Sequence, residues 1–221
     1  GGIDVLARYA RLFGYGAPVG IELAYPEKAG LVPTREWKRR QFAGRPAWEG
    51  MWYPAETMDA SIGQGFVRAT PLQVAAAYAA IATEGWIYKP RVWSEVLGPD
   101  QEVIKRNPPQ ILRRVPLSPE TWETLRTALR MVTTDPRGTA RGVFDGFPIP
   151  VAGKTGTAEA PSGSSHAWFA SYAPADHPEI VVVVFVDHGG SGAGIAAPVA
   201  REVLEAYFQD RLSAGGGPSG K

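Results

Sequence analysis

VAGKTGT (residues 151–157) is the stretch of the sequence that decides the fold. It predicts a short strand, in which alternate side chains point to the same side. Lys154 and Gly156 would then share one side, and Thr155 and Thr157 the other. A lysine and two hydroxyls at a strand edge suit the recognition of a carboxylate, and the glycine lets a substrate backbone approach closely. The alternative is a surface strand with one solvated lysine.

The same stretch contains Gly-Lys-Thr, which ends the phosphate-binding loop of nucleotide-binding proteins. That loop needs a glycine five positions before Gly153, where this sequence has Pro148. It also needs a helix directly after it, whereas Pro161 and Gly163 follow here. The spacing therefore disfavours nucleotide binding.

Two further strand-like runs follow the motif, at 167–172 and 180–187, and turn-rich segments separate them. Three short strands in succession predict antiparallel neighbours. A helix is predicted to begin at Pro198, because apolar residues recur after it at spacings of three and four.

Upstream of the motif the sequence predicts three more helices. One covers 3–13, where apolar residues fall near one helical face. A second begins at Thr70-Pro71-Leu72-Gln73, which combines an N-cap, a proline at the first helical position and a capping-box glutamine. A third begins at Ser118-Pro119 and ends at Asp135-Pro136.

The remaining upstream sequence predicts loops and short strands. Residues 14–54 are rich in Gly, Pro and Trp without a sustained period, which predicts an irregular loop. Trp37, Trp48 and Trp52 are expected to anchor it, and the alternative is that they offer a surface to a partner. Residues 87–112 predict a strand pair around the turn Gly98-Pro99-Asp100.

Together, several segments resemble the class B penicillin-binding proteins in their order and spacing. The resemblance spans residues 3–208, and its Ile-Gly-Gln-Gly form is most similar to the elongation-type branch, penicillin-binding protein 2. The segments are GYGAPVGIEL (14–23), EKAGLVPT (27–34), Trp37-Lys38, SIGQG (61–65), TPLQ (70–73), KTGT (154–157), HAWF (166–169) and AAPV (196–199).

The sequence departs from this family in its nucleophile. The family acylates through the serine of Ser-x-x-Lys and uses a Ser-x-Asn element, but no serine here has a lysine three residues on, and Asn107 is the only asparagine. We therefore expect residues 1–212 to be the C-terminal part of a transpeptidase domain. It would be inactive alone and would need the upstream part of the same domain. Residues 213–221 are predicted to be a disordered tail.

The resemblance implies an incomplete β-lactamase/transpeptidase-like α/β fold, with an antiparallel sheet flanked by helices on both faces. The C-terminal helix would cover one face and the helix over 70–83 the other. The implied activity is that of a peptidoglycan D,D-transpeptidase that cross-links stem peptides during cell-wall elongation.

In that scheme Lys154, Thr155, Gly156 and Thr157 form the catalytic and substrate-binding strand, and the Thr157 N–H faces the oxyanion. His166 is a further candidate for the substrate groove. The implied partners are stem peptides, β-lactam antibiotics and a polytopic glycan polymerase. The complete protein would be anchored in the bacterial cytoplasmic membrane and act on its extracytoplasmic side. A non-catalytic penicillin-binding sensor and a β-lactamase-like serine hydrolase stay open as alternatives.

The composition of the chain excludes several kinds of partner and of functional site. The 221 residues carry a formal net charge of +1, which gives no reason to expect a nucleic-acid partner. The absence of cysteine excludes disulfides, thiolate zinc sites and cysteine nucleophiles. The histidines and acidic residues show no metal-ligand spacing along the chain, so neither a metal nor a cofactor is expected. Residues 74–82 form the longest apolar run, far short of the roughly 20 needed to span a bilayer, so we expect a soluble chain.

Overall fold

The computed structural model describes residues 2–215, with side chains as far as residue 213. These residues form two compact units. The first contains 85–116 and the residues up to 80, and the second contains 81–84 and the residues from 117 onward. A single domain can contain two such units, so the expectation that residues 1–212 form one domain stays a prediction.

The first unit combines five helices with two small antiparallel sheets. The helices are α1 (Ile3–Leu12), α2 (Arg35–Gln41), α3 (Ala47–Gly50), α4 (Pro54–Ser61) and α5 (Pro71–Ala82), whose last two residues belong to the second unit. Strand β1 (Trp86–Tyr88) pairs with β4 (Ile111–Arg114), and β2 (Glu95–Leu97) pairs with β3 (Val103–Arg106).

The strand pair predicted over 87–112 is thus two shorter pairs. Pro90 and the Pro108-Pro109 dipeptide interrupt the two sides, because proline has no N–H to donate to a ladder. The predicted Gly98–Asp100 turn does connect β2 to β3.

The predicted capping box at the start of α5 is confirmed. The Thr70 N–H donates to Gln73 Oε1 at 2.9 Å, and the Gln73 N–H donates to Thr70 Oγ1 at 3.1 Å. Gln73 is buried, and its Nε2 also donates to the carbonyls of Ala17 and Ala29, both at 2.8 Å. One side chain therefore caps the helix and fixes the preceding loop.

The long segment before α4 is more regular than predicted, because it contains α2 and α3. Thr34 Oγ1 accepts the N–H of Trp37 at 3.0 Å and so caps α2. Trp37 and Trp52 both pack against the ring of Phe66, with centroids 5.1 and 6.5 Å away. Trp48 is 62% exposed, so the expectation that it anchors this segment is wrong.

The second unit is built on a three-stranded antiparallel sheet in the order β5-β6-β7, which confirms the predicted strands and pairing. The strands are β5 (Ala152–Ala158), β6 (His166–Ala173) and β7 (Ile180–Val186). The helices of this unit are α6 (Pro119–Thr134), α7 (Arg141–Phe144), α8 (Ala197–Tyr207) and α9 (Gln209–Gly215), and a π-helical turn (Gly192–Ala196) precedes α8.

The core lies between one face of this sheet and α8. Phe169 of β6 pairs with Val184 of β7, so their side chains share the face on which the buried Leu204 of α8 packs. Phe144 of α7 stacks on Phe169 with ring centroids 5.6 Å apart. The C-terminal helix therefore covers one face, as predicted. The position of the helix over 70–83 on the other face stays a prediction.

The tail predicted to begin at Ser213 is wrong in its first residues, since α9 continues to Gly215. Leu212 packs against the core, and Arg211 forms two 2.8 Å hydrogen bonds with the Glu179 carboxylate. These contacts hold the helix in place. The rest of the predicted tail, 216–221, lies outside the described residues. Within 2–215, no helix has both the length and the apolar character that a membrane crossing demands.

Candidate active site

Strand β5 lies at the edge of the described sheet and carries the KTGT motif. Its pairing with β6 places Lys154 opposite Ala170 and Thr157 opposite Ala167. Thr133 of α6 anchors the start of the strand, because its hydroxyl donates to the Val151 carbonyl at 2.6 Å. An edge strand presents backbone N–H and C=O groups to which an extended ligand can add as a further strand.

The register confirms the predicted alternation of side chains. Thr155 pairs with Phe169, whose ring lies in the core beneath α8, so Thr155 and Thr157 belong to that face. Lys154 and Gly156 belong to the opposite face. Lys154 and Thr157 are exposed. One carboxylate can therefore meet the lysine and a threonine hydroxyl only at the strand edge, where the two faces join.

The Lys154 ammonium carries a charge that no carboxylate balances within residues 2–215. Its Nζ donates to the carbonyl of Thr155, 2.7 Å away, which keeps the ammonium close to its own strand. An exposed cation without an acidic partner is available for an anionic ligand.

Thr139 positions the hydroxyl of Thr155, since their Oγ1 atoms lie 2.8 Å apart. Thr139 comes from the turn between α6 and α7, sixteen residues before its partner along the chain. No sequence pattern pointed to it. The hydroxyl that follows the motif lysine is therefore held by a second hydroxyl from another element.

The turn that carries Thr139 is tightly built. Asp135 Oδ1 accepts the N–H of Arg137 at 2.8 Å, and this hydrogen bond lowers the pKa of the Asp135 carboxyl. A side chain at Gly138 would place its Cβ 2.5 Å from the carbonyl oxygens of Met131 and Val132. Only glycine fits there, so the turn passes against the end of α6 and presents Thr139 to β5.

The π-helical turn supports the other end of the motif. The Gly192 N–H donates to Thr157 Oγ1 at 3.4 Å. A Cβ on Gly192 would lie 2.5 Å from the Trp168 carbonyl oxygen and 2.9 Å from the Gly156 nitrogen. The turn thus packs directly on the backbone of β5 and β6.

His166 is the first residue of β6 and pairs with Ala158, the residue of β5 that directly follows Thr157. Its Nδ1 lies 2.7 Å from Asp187 Oδ1, and its ring centroid lies 4.9 Å from that of His188. Contact between His166 and a substrate stays a prediction. Sequence spacing did not indicate this cluster, because His166 is more than twenty residues from the other two and only the pairing of β6 with β7 joins them.

Comparison with known proteins decides the family. The family described as "Penicillin binding protein transpeptidase domain" matches residues 2–205. The chain belongs to this family. The resemblance drawn from the ordered motifs is therefore confirmed, and the fold is the α/β transpeptidase fold.

Individual penicillin-binding proteins agree with this result. Peptidoglycan D,D-transpeptidase MrdA of Haemophilus influenzae is 35% identical over 228 residues, which cover 96% of this chain and 34% of the relative. The solved structure of Pseudomonas aeruginosa PBP2 in complex with WCK 5153 is 36% identical, with a TM-score of 0.80 over 94% of this chain and 43% of that one. A structure described as "Structural coordination of polymerization and crosslinking by a peptidoglycan synthase complex" is 39% identical, with a TM-score of 0.77 over 99% of this chain and 34% of that one. The chain thus spans about a third of the length of the curated relatives it matches.

Proposed function

We propose that the complete protein is a peptidoglycan D,D-transpeptidase of cell-wall elongation, in which β5 binds the donor stem peptide. The observation that carries the proposal is the edge strand itself. It combines an exposed, unbalanced ammonium on Lys154 with the hydroxyls of Thr155 and Thr157 in a member of the transpeptidase family. The similarity to the peptidoglycan D,D-transpeptidase MrdA supports the reaction class. The resemblance of the Ile-Gly-Gln-Gly segment to the elongation-type branch supports the assignment to elongation.

The proposed reaction is acyl transfer in two steps. A serine outside this chain attacks the carbonyl of the penultimate D-alanine, an ester forms, and the terminal D-alanine leaves as a protonated amine. An amine of a neighbouring stem peptide then attacks the ester, forms the new amide and returns the proton to the serine.

The residues of β5 have separate roles in this scheme. Lys154 and the hydroxyls of Thr155 and Thr157 bind the terminal carboxylate, and Thr139 holds the Thr155 hydroxyl in place. The Thr157 N–H donates to the oxygen that becomes negatively charged as the carbonyl turns tetrahedral. Gly156 keeps the strand edge narrow enough for the peptide backbone to lie beside it.

The proposed partners follow from the same chemistry. β-Lactam antibiotics would bind β5 through a carboxylate, as the stem peptide does. The relative whose description couples polymerization with crosslinking supports a glycan polymerase as a protein partner. We also propose that the upstream part of the transpeptidase domain supplies the nucleophile, and that the complete protein is anchored in the cytoplasmic membrane with this domain outside it.

Penicillin acylation of the complete protein tests the role of β5. Lys154→Ala should lower the second-order rate of acylation by more than about tenfold, which corresponds to at least ~1.4 kcal/mol of transition-state stabilisation. Lys154→Arg keeps the charge and serves as the control, with a smaller loss. An unchanged rate in Lys154→Ala would remove this lysine from the site.

The fate of the acyl group tests the reaction class. A lasting acyl-enzyme that also cross-links stem peptides is expected of a transpeptidase. Rapid release of a chromogenic β-lactam would instead favour a hydrolase. Stable acylation without any cross-linking would favour a penicillin-binding sensor.

A further inference from the structure

Three side chains at one end of the sheet form a cluster of metal-ligating groups. His166 begins β6, and Asp187 and His188 directly follow β7. The pairing of Ala167 with Val186 brings His166 and Asp187 side by side. One potential ligand atom from each residue lies within 4.8 Å of the others. We propose that the His166–Asp187–His188 cluster is a zinc-binding site.

The hydrogen bonds of His188 favour a ligating imidazole. Its Nδ1 lies 2.8 Å from the Ser164 carbonyl oxygen. A carbonyl only accepts, so Nδ1 carries the proton and Nε2 keeps its lone pair. That Nε2 lies 3.9 Å from Asp187 Oδ1. Metal-bound histidines are commonly oriented by this kind of bond from the second ring nitrogen to a backbone carbonyl.

Two groups of opposite hydrogen-bonding character lie beside the same ring nitrogen of His166. Its Nδ1 lies 3.2 Å from the backbone N–H of His188, which can only donate to it. The same Nδ1 lies 2.7 Å from Asp187 Oδ1, which can only accept. One ring nitrogen cannot accept from the first and donate to the second. The single lone pair of Nδ1 can serve either the His188 N–H or a cation shared with the Asp187 carboxylate, so a bound ion would replace the His188 N–H as the partner of Nδ1.

The donor set selects the ion. Two imidazole nitrogens and one carboxylate oxygen suit Zn²⁺, whose three protein ligands commonly leave a fourth position to water. Ligand atoms of a tetrahedral zinc lie about 3.3 Å apart. The two distances to Asp187 Oδ1 are 2.7 and 3.9 Å, and the three ligand atoms all lie within 4.8 Å of one another. The Asp187 side chain is 67% exposed, so it can shift to meet the ion. Mg²⁺ and Ca²⁺ prefer six or more oxygen ligands and do not fit this set.

The loop around His188 is already arranged for such a site. His188 has a φ of 50°, a left-handed conformation that turns the chain at this point. A Cβ on Gly163 would lie 3.2 Å from His188 Nδ1, so the ring packs closely on the connection between β5 and β6. The Gly190 N–H donates to the Ser165 carbonyl at 2.7 Å. A bound ion would join the start of β6 to the end of β7. His166 pairs with Ala158, so the ion would lie next to the residue that follows the KTGT motif.

Zinc binding by the complete protein, stripped of metal with a chelator, tests the proposal. Calorimetric titration with Zn²⁺ and metal analysis after dialysis should show one more bound equivalent for the wild type than for His188→Asn. Asparagine tolerates the left-handed backbone at this position. His177→Gln, an exposed histidine of the same unit, is the matched control and should keep the equivalent. Mg²⁺ should not replace it.

Two results would overturn the site. One is an equal zinc stoichiometry in the wild type and His188→Asn, and the other is a wild type that binds no zinc. Either would mean that His166, Asp187 and His188 lie together without holding an ion. If His188→Asn fails to fold, Asp187→Asn at the exposed carboxylate decides the question by the same comparison. Lys154 variants leave this readout unchanged, so it is independent of the proposed transpeptidase activity.

Discussion

The hydrogen bond between Thr139 and Thr155 gives a sharp test of how the substrate-binding strand is organised. Thr139→Val keeps the shape of the side chain but removes the hydroxyl that lies 2.8 Å from Thr155 Oγ1. A neutral hydrogen bond contributes about 0.5–1.5 kcal/mol net, and the exposed position of Thr139 favours the lower part of that range. A loss of about 0.5–1 kcal/mol in the transition state slows acylation about two- to fivefold.

The assay is the second-order rate of acylation of the complete protein by a fluorescent penicillin. Thr139→Ser retains the Oγ atom and should restore most of the wild-type rate. The melting temperature of Thr139→Val should stay close to the wild type, because an exposed substitution of equal shape costs little stability. The reasoning fails if Thr139→Val acylates at the wild-type rate, or if Thr139→Ser is as slow as Thr139→Val.

Two further predictions concern packing and pH. Gly192→Ala should lower both the melting temperature and the acylation rate, because its Cβ would lie 2.5 and 2.9 Å from backbone atoms. Gly194→Ala is the control and should change neither, because its Cβ would have an ordinary 3.6 Å contact. Equal effects of the two substitutions would contradict the packing argument. Hydrogen bonding to Arg211 lowers the pKa of Glu179 from its ordinary value near 4.5, so the pair stabilises the fold above that pH and loses its effect as the pH falls through the lowered pKa. Glu179→Gln should therefore have a slightly lower melting temperature than the wild type at pH 7 and match it in acid, whereas Glu202→Gln, on exposed α8 surface, should show no such convergence.

Local signals in the sequence were sufficient for most of the second unit. The three strands follow from short apolar runs between turns, and the start of α6 follows from Ser118-Pro119. The alternation of Lys154 and Thr155 about β5 follows from the period of a strand, and the register bears it out. Each of these features depends on residues close together in the chain.

Features that depend on residues far apart in the chain cannot be predicted from such local patterns. Thr139 is an ordinary turn residue in the sequence, and its role appears only when the turn passes beside β5. His166 and His188 are separated by the whole length of β6 and β7, so ligand spacing along the chain gave no sign of their cluster. Helix α2 was missed because its seven residues lie within a segment dominated by glycine and proline.

The most direct test of the proposed division of the active site is to map the penicillin adduct by mass spectrometry. The complete protein is incubated with a penicillin, digested, and each acylated peptide is identified, with the 221-residue chain alone treated in parallel. We expect one acylated serine followed by lysine at the third position, outside these 221 residues, and no adduct on the chain alone. An adduct on any serine of this chain would contradict the claim that it supplies the substrate-binding strand without the nucleophile.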